Sequence, residues 1–203
     1  MKFETNYLSK PLEQFSYRAT EKHLIGDNPK KGNRPADFYN QLTGCKAENY
    51  AAVHDLEVRD TYDRITFGTD VDYKNWKIDV KGQWYNKEFD FQNYDKIHPT
   101  LHGCWLNIAN HQIYDKKFDD NQAFLFYLLT YGKITRIGWI EANEYQRKLM
   151  DPTDETCLEE TKAKANGLKM ITGTNIHWSQ LKPIEELDSA YTDDRVGQTF
   201  VTI

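Results

Sequence analysis

The stretch Ile65-Thr66-Phe67-Gly68-Thr69-Asp70-Val71-Asp72-Tyr73-Lys74-Asn75-Trp76-Lys77-Ile78-Asp79-Val80-Lys81-Gly82-Gln83 changes phase in its middle. Up to Tyr73 the odd positions are mostly apolar and the even ones polar or small. From Trp76 onward the even positions are apolar and the odd ones polar. Alternation with period two marks a half-buried strand. Opposed residues of an antiparallel pair share a face, so the two apolar sets coincide only if opposed residue numbers sum to an odd value. A tight turn at Lys74-Asn75 gives that register. It sets Val71 beside Ile78 on the buried face and Asp70 beside Asp79 on the other, with Lys81 facing Gly68, where a missing side chain leaves room.

Working outward, Asp37 to about His54 reads as helix, with Phe38, Leu42, Cys45, Tyr50 and Val53 loosely spaced at three to four residues; Gly44 predicts a break, with the main helix starting near it. Residues 1–36 read as an N-terminal arm that ends in the loop Asn28-Pro29-Lys30-Lys31-Gly32-Asn33-Arg34-Pro35. Downstream, residues 86–121 are polar and irregular apart from Cys104-Trp105-Leu106-Asn107-Ile108. The apolar run Ala123 to Leu129 and the segment Lys133 to Ile140, joined at Tyr131-Gly132, predict two central strands with a short turn. Glu141–Leu149 and Asp154–Ala165 are rich in helix formers and read as surface helices. A last strand is expected around Asn175 to Trp178, and residues 189–203 as a loosely ordered tail.

The whole of residues 1–203 reads as a single domain, long enough to bury a core. No apolar run approaches the roughly 18 residues of a membrane helix, and the expectation is a cytoplasmic protein with no membrane partner. Cys45, Cys104 and Cys157 are scattered and odd in number, which argues against a disulfide framework or a CxxC zinc knuckle. The net charge of −5 excludes a bulk nucleic-acid coat protein, which needs a surplus of Lys and Arg. It does not exclude an enzyme that gathers carboxylates around a metal.

The opposed pair Asp70 and Asp79, with Lys81 two residues beyond, has the groups to bind a hard divalent cation through oxygen and to hold an ammonium beside it. That chemistry suits phosphodiester hydrolysis, in which a metal polarises the phosphoryl oxygen and acidifies a bound water. Acid-x-Lys triplets also occur at Asp72-Tyr73-Lys74, Asp115-Lys116-Lys117 and Glu160-Thr161-Lys162. Only Asp79-Val80-Lys81 lies on a strand whose hairpin partner offers a further acid at the opposed position. His98, His102 and His111 have no tight ligand spacing and read as solvated loop residues.

The order helix acid, strand Asp, then Asp-x-Lys, carried by Glu48, Gly68-Thr69-Asp70-Val71 and Ile78-Asp79-Val80-Lys81-Gly82, resembles the PD-(D/E)xK nuclease superfamily in its small phage-type members. Later segments, Phe124 to Leu129, Ile137 to Ile140 and Leu181-Lys182-Pro183-Ile184, extend the resemblance over about residues 38–188. It implies a restriction-endonuclease-like α/β fold with a mixed central sheet flanked by helices, Mg²⁺ or Mn²⁺ as cofactor and DNA as substrate. Carried over, Asp70 is the first aspartate, Asp79 the second acid, Lys81 the lysine and Glu48 the helix glutamate, with the backbone carbonyl of Val80 as a further metal ligand. A homodimer is a family-based expectation, as is a host cytoplasm if the source is viral.

Two departures stand beside the resemblance. Thr69, not Pro, precedes Asp70, and Asp72 lies on the same face one step nearer the turn; a register shift would bring Asp72 opposite Asp79 in place of Asp70. Gln83, Trp84, Tyr85, Lys30, Lys31 and Arg34 are candidate substrate contacts, the aromatics by stacking on unpaired bases and the cations by meeting phosphate. Ordinary strand exposure, edge packing and a solvated connector are the competing readings of the same residues. Against the nuclease stand a non-catalytic DNA-binding or protein-interaction module on the same fold, and a structural protein whose polar hairpin face is merely wet.

Overall fold

The computed structural model describes residues 3–26, 35–58, 71–84, 104–107, 121–151, 153–154, 157–163 and 170–189. Its elements in chain order are β1 (Glu4–Tyr7), α1 (Lys10–Gly26), α2 (Pro35–Tyr50), a π-helical turn (Ala51–Asp55), β2 (Val71–Tyr73), β3 (Trp76–Trp84), β4 (Cys104–Asn107), β5 (Ala123–Thr130), β6 (Lys133–Glu141), α3 (Ala142–Met150), β7 (Cys157–Ala163) and β8 (Met170–Ile176). A five-stranded sheet runs in the order β1-β6-β5-β3-β2, and a three-stranded sheet in the order β4-β8-β7. Within the larger sheet β3 and β5 are parallel and the other pairs antiparallel. The fold is therefore α/β, a mixed sheet with flanking helices.

The β2–β3 hairpin has the register that its alternation dictates. Val71 pairs with Ile78, Asp72 with Lys77 and Tyr73 with Trp76 around Lys74-Asn75. Both turn residues have positive φ, 48° and 74°, the pattern of a type I′ turn, whose twist matches that of the strands it joins. The C-terminal segment holds this hairpin in place, because Asp188 accepts hydrogen bonds from the Tyr73 hydroxyl and from Lys74.

Every residue of β5 is buried, since the central strand is covered on both faces. On one face Leu125, Tyr127 and Leu129 pack with Ile78, Val80, Ala47, Tyr50 and Ala51, so this core lies under α2. On the other face Phe124, Phe126 and Leu128 pack with Ile140, Tyr145 of α3, Cys157 of β7 and Ile176 of β8. Each large aliphatic or phenyl side chain fully buried here, such as Leu125 or Phe124, contributes roughly 1.5–3 kcal/mol.

Three expectations are corrected. Residues 3–26 are not an arm but a strand and a 17-residue helix. The apolar stripe of α1 is thin because small polar side chains share it: Ser16 and Thr20 are buried, and Thr20 Oγ1 satisfies itself on the Ser16 carbonyl at 2.8 Å. The second helix does not break at Gly44 but runs unbroken from Pro35, a residue suited to a first helical turn. Residues 157–163 form a strand rather than a helix, because β8 offers a complete antiparallel partner from Cys157↔Ile176 to Ala163↔Met170. Tertiary pairing here overrides local helix propensity. Among the described residues no helix is long and apolar enough to cross a membrane.

Candidate functional site

Strand β3 carries two faces with different roles. Trp76, Ile78 and Val80 enter the core beneath α2. Asp79, Lys81 and Gln83 alternate with them and lie beside Phe124, Phe126 and Leu128 of the parallel strand β5. Asp79 is therefore on the second core's face, and it is 5% exposed. Its Oδ1 accepts an ion pair from Lys81 Nζ, whose side chain is half-buried. A wet strand face does not bury its carboxylate. Burying an ion pair seldom adds stability over an apolar pair of the same size, so such a pair needs another explanation.

The hairpin register fixes the opposed positions. Asp72 is exposed and lies across from Lys77, so the shifted register that would bring Asp72 opposite Asp79 is not the one adopted. Asp70, the favoured partner, and Gly68 lie outside the described residues, as do Lys30, Lys31, Tyr85, His98, His102 and His111. Arg34 does too. Among the described residues no group of three or more His, Cys, Asp or Glu is gathered for a metal. The donors present are hard oxygens, the Asp79 carboxylate and the Val80 carbonyl, next to an ammonium. That set fits Mg²⁺ or Mn²⁺ better than a soft-ligand metal.

Glu48 is half-buried on α2, the layer that covers the opposite face of the sheet from the Asp79 side chain. It lies beside Cys45, and with burial as the larger cause it raises that thiol from the ordinary 9.0 to about 11. Gln83 is half-buried on the Asp79 and Lys81 face. Trp84 is 47% exposed at the end of β3, and its ring meets that of Tyr131 edge-on at 5.7 Å.

Sequence reasoning missed a second polar cluster. The Asp55 carboxylate, with no exposed side-chain surface, accepts a 2.7 Å hydrogen bond from the Tyr127 hydroxyl and an ion pair from Arg136, which also reaches Glu4 at 2.6 Å. Burial pushes the Asp55 carboxyl up, against the pull of Tyr127 and Arg136. The π-helical turn brings Asp55 there: Leu56 N–H donates to the Ala51 carbonyl at 2.9 Å, a wider loop than an α-helix makes. Only the apolar Ala51-Ala52-Val53, separated from Asp55 by His54, hints at it in the sequence. The chain matches no family model, no curated protein and no solved structure.

Proposed function

We propose that the protein is a metal-dependent DNA nuclease of the PD-(D/E)xK type, with a restriction-endonuclease-like arrangement of its mixed sheet. The observation that carries this reading is the buried Asp79 ion-paired with Lys81 two residues along one strand of a hairpin. Asp70, Asp79 and the Val80 carbonyl would hold Mg²⁺ or Mn²⁺; Glu48, expected as the helix acid, lies across the sheet from the Asp79 side chain and is left out of the ligand set. Bound there, the cation would supply Lewis-acid activation of the phosphodiester and of a water. The ion pair with Asp79 holds the Lys81 side chain in place. The Lys81 ammonium then steers the attacking water and offsets the charge that grows on the phosphate oxygens.

Cleavage of supercoiled plasmid and of labelled DNA by the native chain tests the reading. Cutting in Mg²⁺ or Mn²⁺ that stops in EDTA supports it. If no metal yields cutting while DNA is still bound, the fold is a binding module and the nuclease is excluded.

A further inference from the structure

One end of the five-stranded sheet gathers exposed aromatic rings. Strand β3 ends at Trp84, strand β5 turns into β6 through Tyr131-Gly132, and β1 ends at Tyr7 opposite Lys133. Tyr131 is 68% exposed and Tyr7 80%. Lys133 Nζ stands over the Tyr7 ring at 5.5 Å and Leu8 N–H donates to the Gly132 carbonyl at 2.7 Å, which ties β1 to the β5–β6 turn, and the Trp84–Tyr131 edge contact ties in β3. Exposed Lys10 opens α1 three residues after Tyr7.

The turn that carries Tyr131 does not favour a bulky residue. Tyr131 has φ 25° and Gly132 φ 75°, so the turn is of the type I′ kind, where Asn is favoured at the first central position and a bulky side chain is strained. A tyrosine held in that conformation, with most of its ring in water, is strained, and its edge contact with Trp84 offsets part of that cost. Apolar rings beside lysines are the combination that single-stranded nucleic acid meets, with bases stacking on the rings and phosphates facing the cations. Trp84 lies three residues past Lys81, about 10 Å along the strand; its side chain is on the α2 face and that of Lys81 on the other, so a strand joining the two passes over the end of the sheet.

Building on the nuclease reading, we propose that Trp84, Tyr131 and Tyr7, flanked by Lys133 and Lys10, form a stacking platform for unpaired bases, so that the substrate is single-stranded DNA. Bases stack at the sheet end, and the strand passes over that end to reach the face that carries Lys81. The contact is sequence-tolerant, because every base has a flat face.

The test is fluorescence anisotropy of a labelled oligodeoxythymidine and of a duplex of equal length, in EDTA so that nothing is cut. The native chain is compared with Trp84→Ala and with Tyr131→Asn, which relieves the turn and keeps the fold. The native chain should bind the single strand more tightly than the duplex, and each substitution should weaken single-strand binding about tenfold. Tyr131→Asn should do so without lowering the melting temperature. Absence of single-strand binding, equal binding of duplex, or native affinity in Tyr131→Asn would overturn the platform. Failure of the nuclease reading looks different: single-strand binding that depends on the aromatics, with no metal-dependent cutting, leaves the platform and removes the enzyme.

Discussion

Gly82 of β3 lies directly beneath Thr43 of α2: a Cβ on Gly82 would stand 2.7 Å from the Thr43 carbonyl oxygen and 2.9 Å from the Ala47 side chain. Backbone meets backbone there because residue 82 has no side chain. The contact seats α2 on the strand that carries Asp79 and Lys81, one residue past the lysine.

Gly82→Ala should therefore destabilise the protein by about 1–3 kcal/mol, the usual scale of overpacking. Urea unfolding followed by tryptophan fluorescence reads the effect. An unchanged midpoint would mean that α2 is not held by this contact.

Removing the carboxylate of Asp55 leaves Arg136 without its buried partner, although Glu4 and Glu185 remain near it at the surface. Asp55→Ala should cost about 3–5 kcal/mol, as breaking a buried pair does. Tyr127→Phe, which deletes one hydrogen bond to the same carboxylate, should cost about 1 kcal/mol. Equal losses in the two variants would show that the ion pair adds nothing beyond the hydroxyl.

Burial raises the Cys45 thiol to about 11 and the Cys157 thiol from 9.0 to about 12. Folded thiols thus keep their protons to higher pH than unfolded ones. Their contribution to stability is intact below the ordinary thiol value of 9.0. It is lost progressively as pH rises from there through the folded values. Melting temperatures measured between pH 7 and 11 should fall on the alkaline side, and Cys157→Ser should flatten that fall. Rapid reaction of Cys157 with a thiol reagent in the native state at pH 8 would contradict the account.

The sequence was most legible where one physical signal decides the structure. Period-two alternation broken at Lys74-Asn75 dictates the hairpin register, because a slip of one residue would turn Ile78 and Val80 to the wrong face. The unbroken apolar run of β5 likewise requires a strand buried on both faces. Strand β7 was not legible: Leu158-Glu159-Glu160-Thr161-Lys162-Ala163 is locally helical in composition, and only its distant partner β8 makes it a strand. Helix α1 was hidden by Ser16 and Thr20 inside its buried stripe. Of the candidate site, Asp79 and Lys81 were readable from their strand. The burial of Asp79 was not, because it depends on Phe124 and the layer beyond. The Asp55 cluster joins residues more than 70 positions apart through a π-helical turn that no local pattern announces.

If the carboxylate of Asp79 holds a cation, Mn²⁺ binds the folded chain and not the unfolded one. At a hundredfold excess over its dissociation constant it should stabilise the protein by about 2.7 kcal/mol. Asp79→Asn keeps the size of the side chain and should abolish the gain. A Mn²⁺ stabilisation that survives in Asp79→Asn would place the metal elsewhere.

The most direct test of the central claim is the rate of DNA cleavage in Mg²⁺ by the native chain beside Asp79→Asn and Lys81→Ala, each shown to be folded by circular dichroism. Both variants should lose at least about 100-fold in rate, the scale expected for removing a preorganised charged group at a reacting phosphate. Metal-dependent cleavage at native rates in either folded variant would contradict the assignment of Asp79 and Lys81 as the catalytic centre.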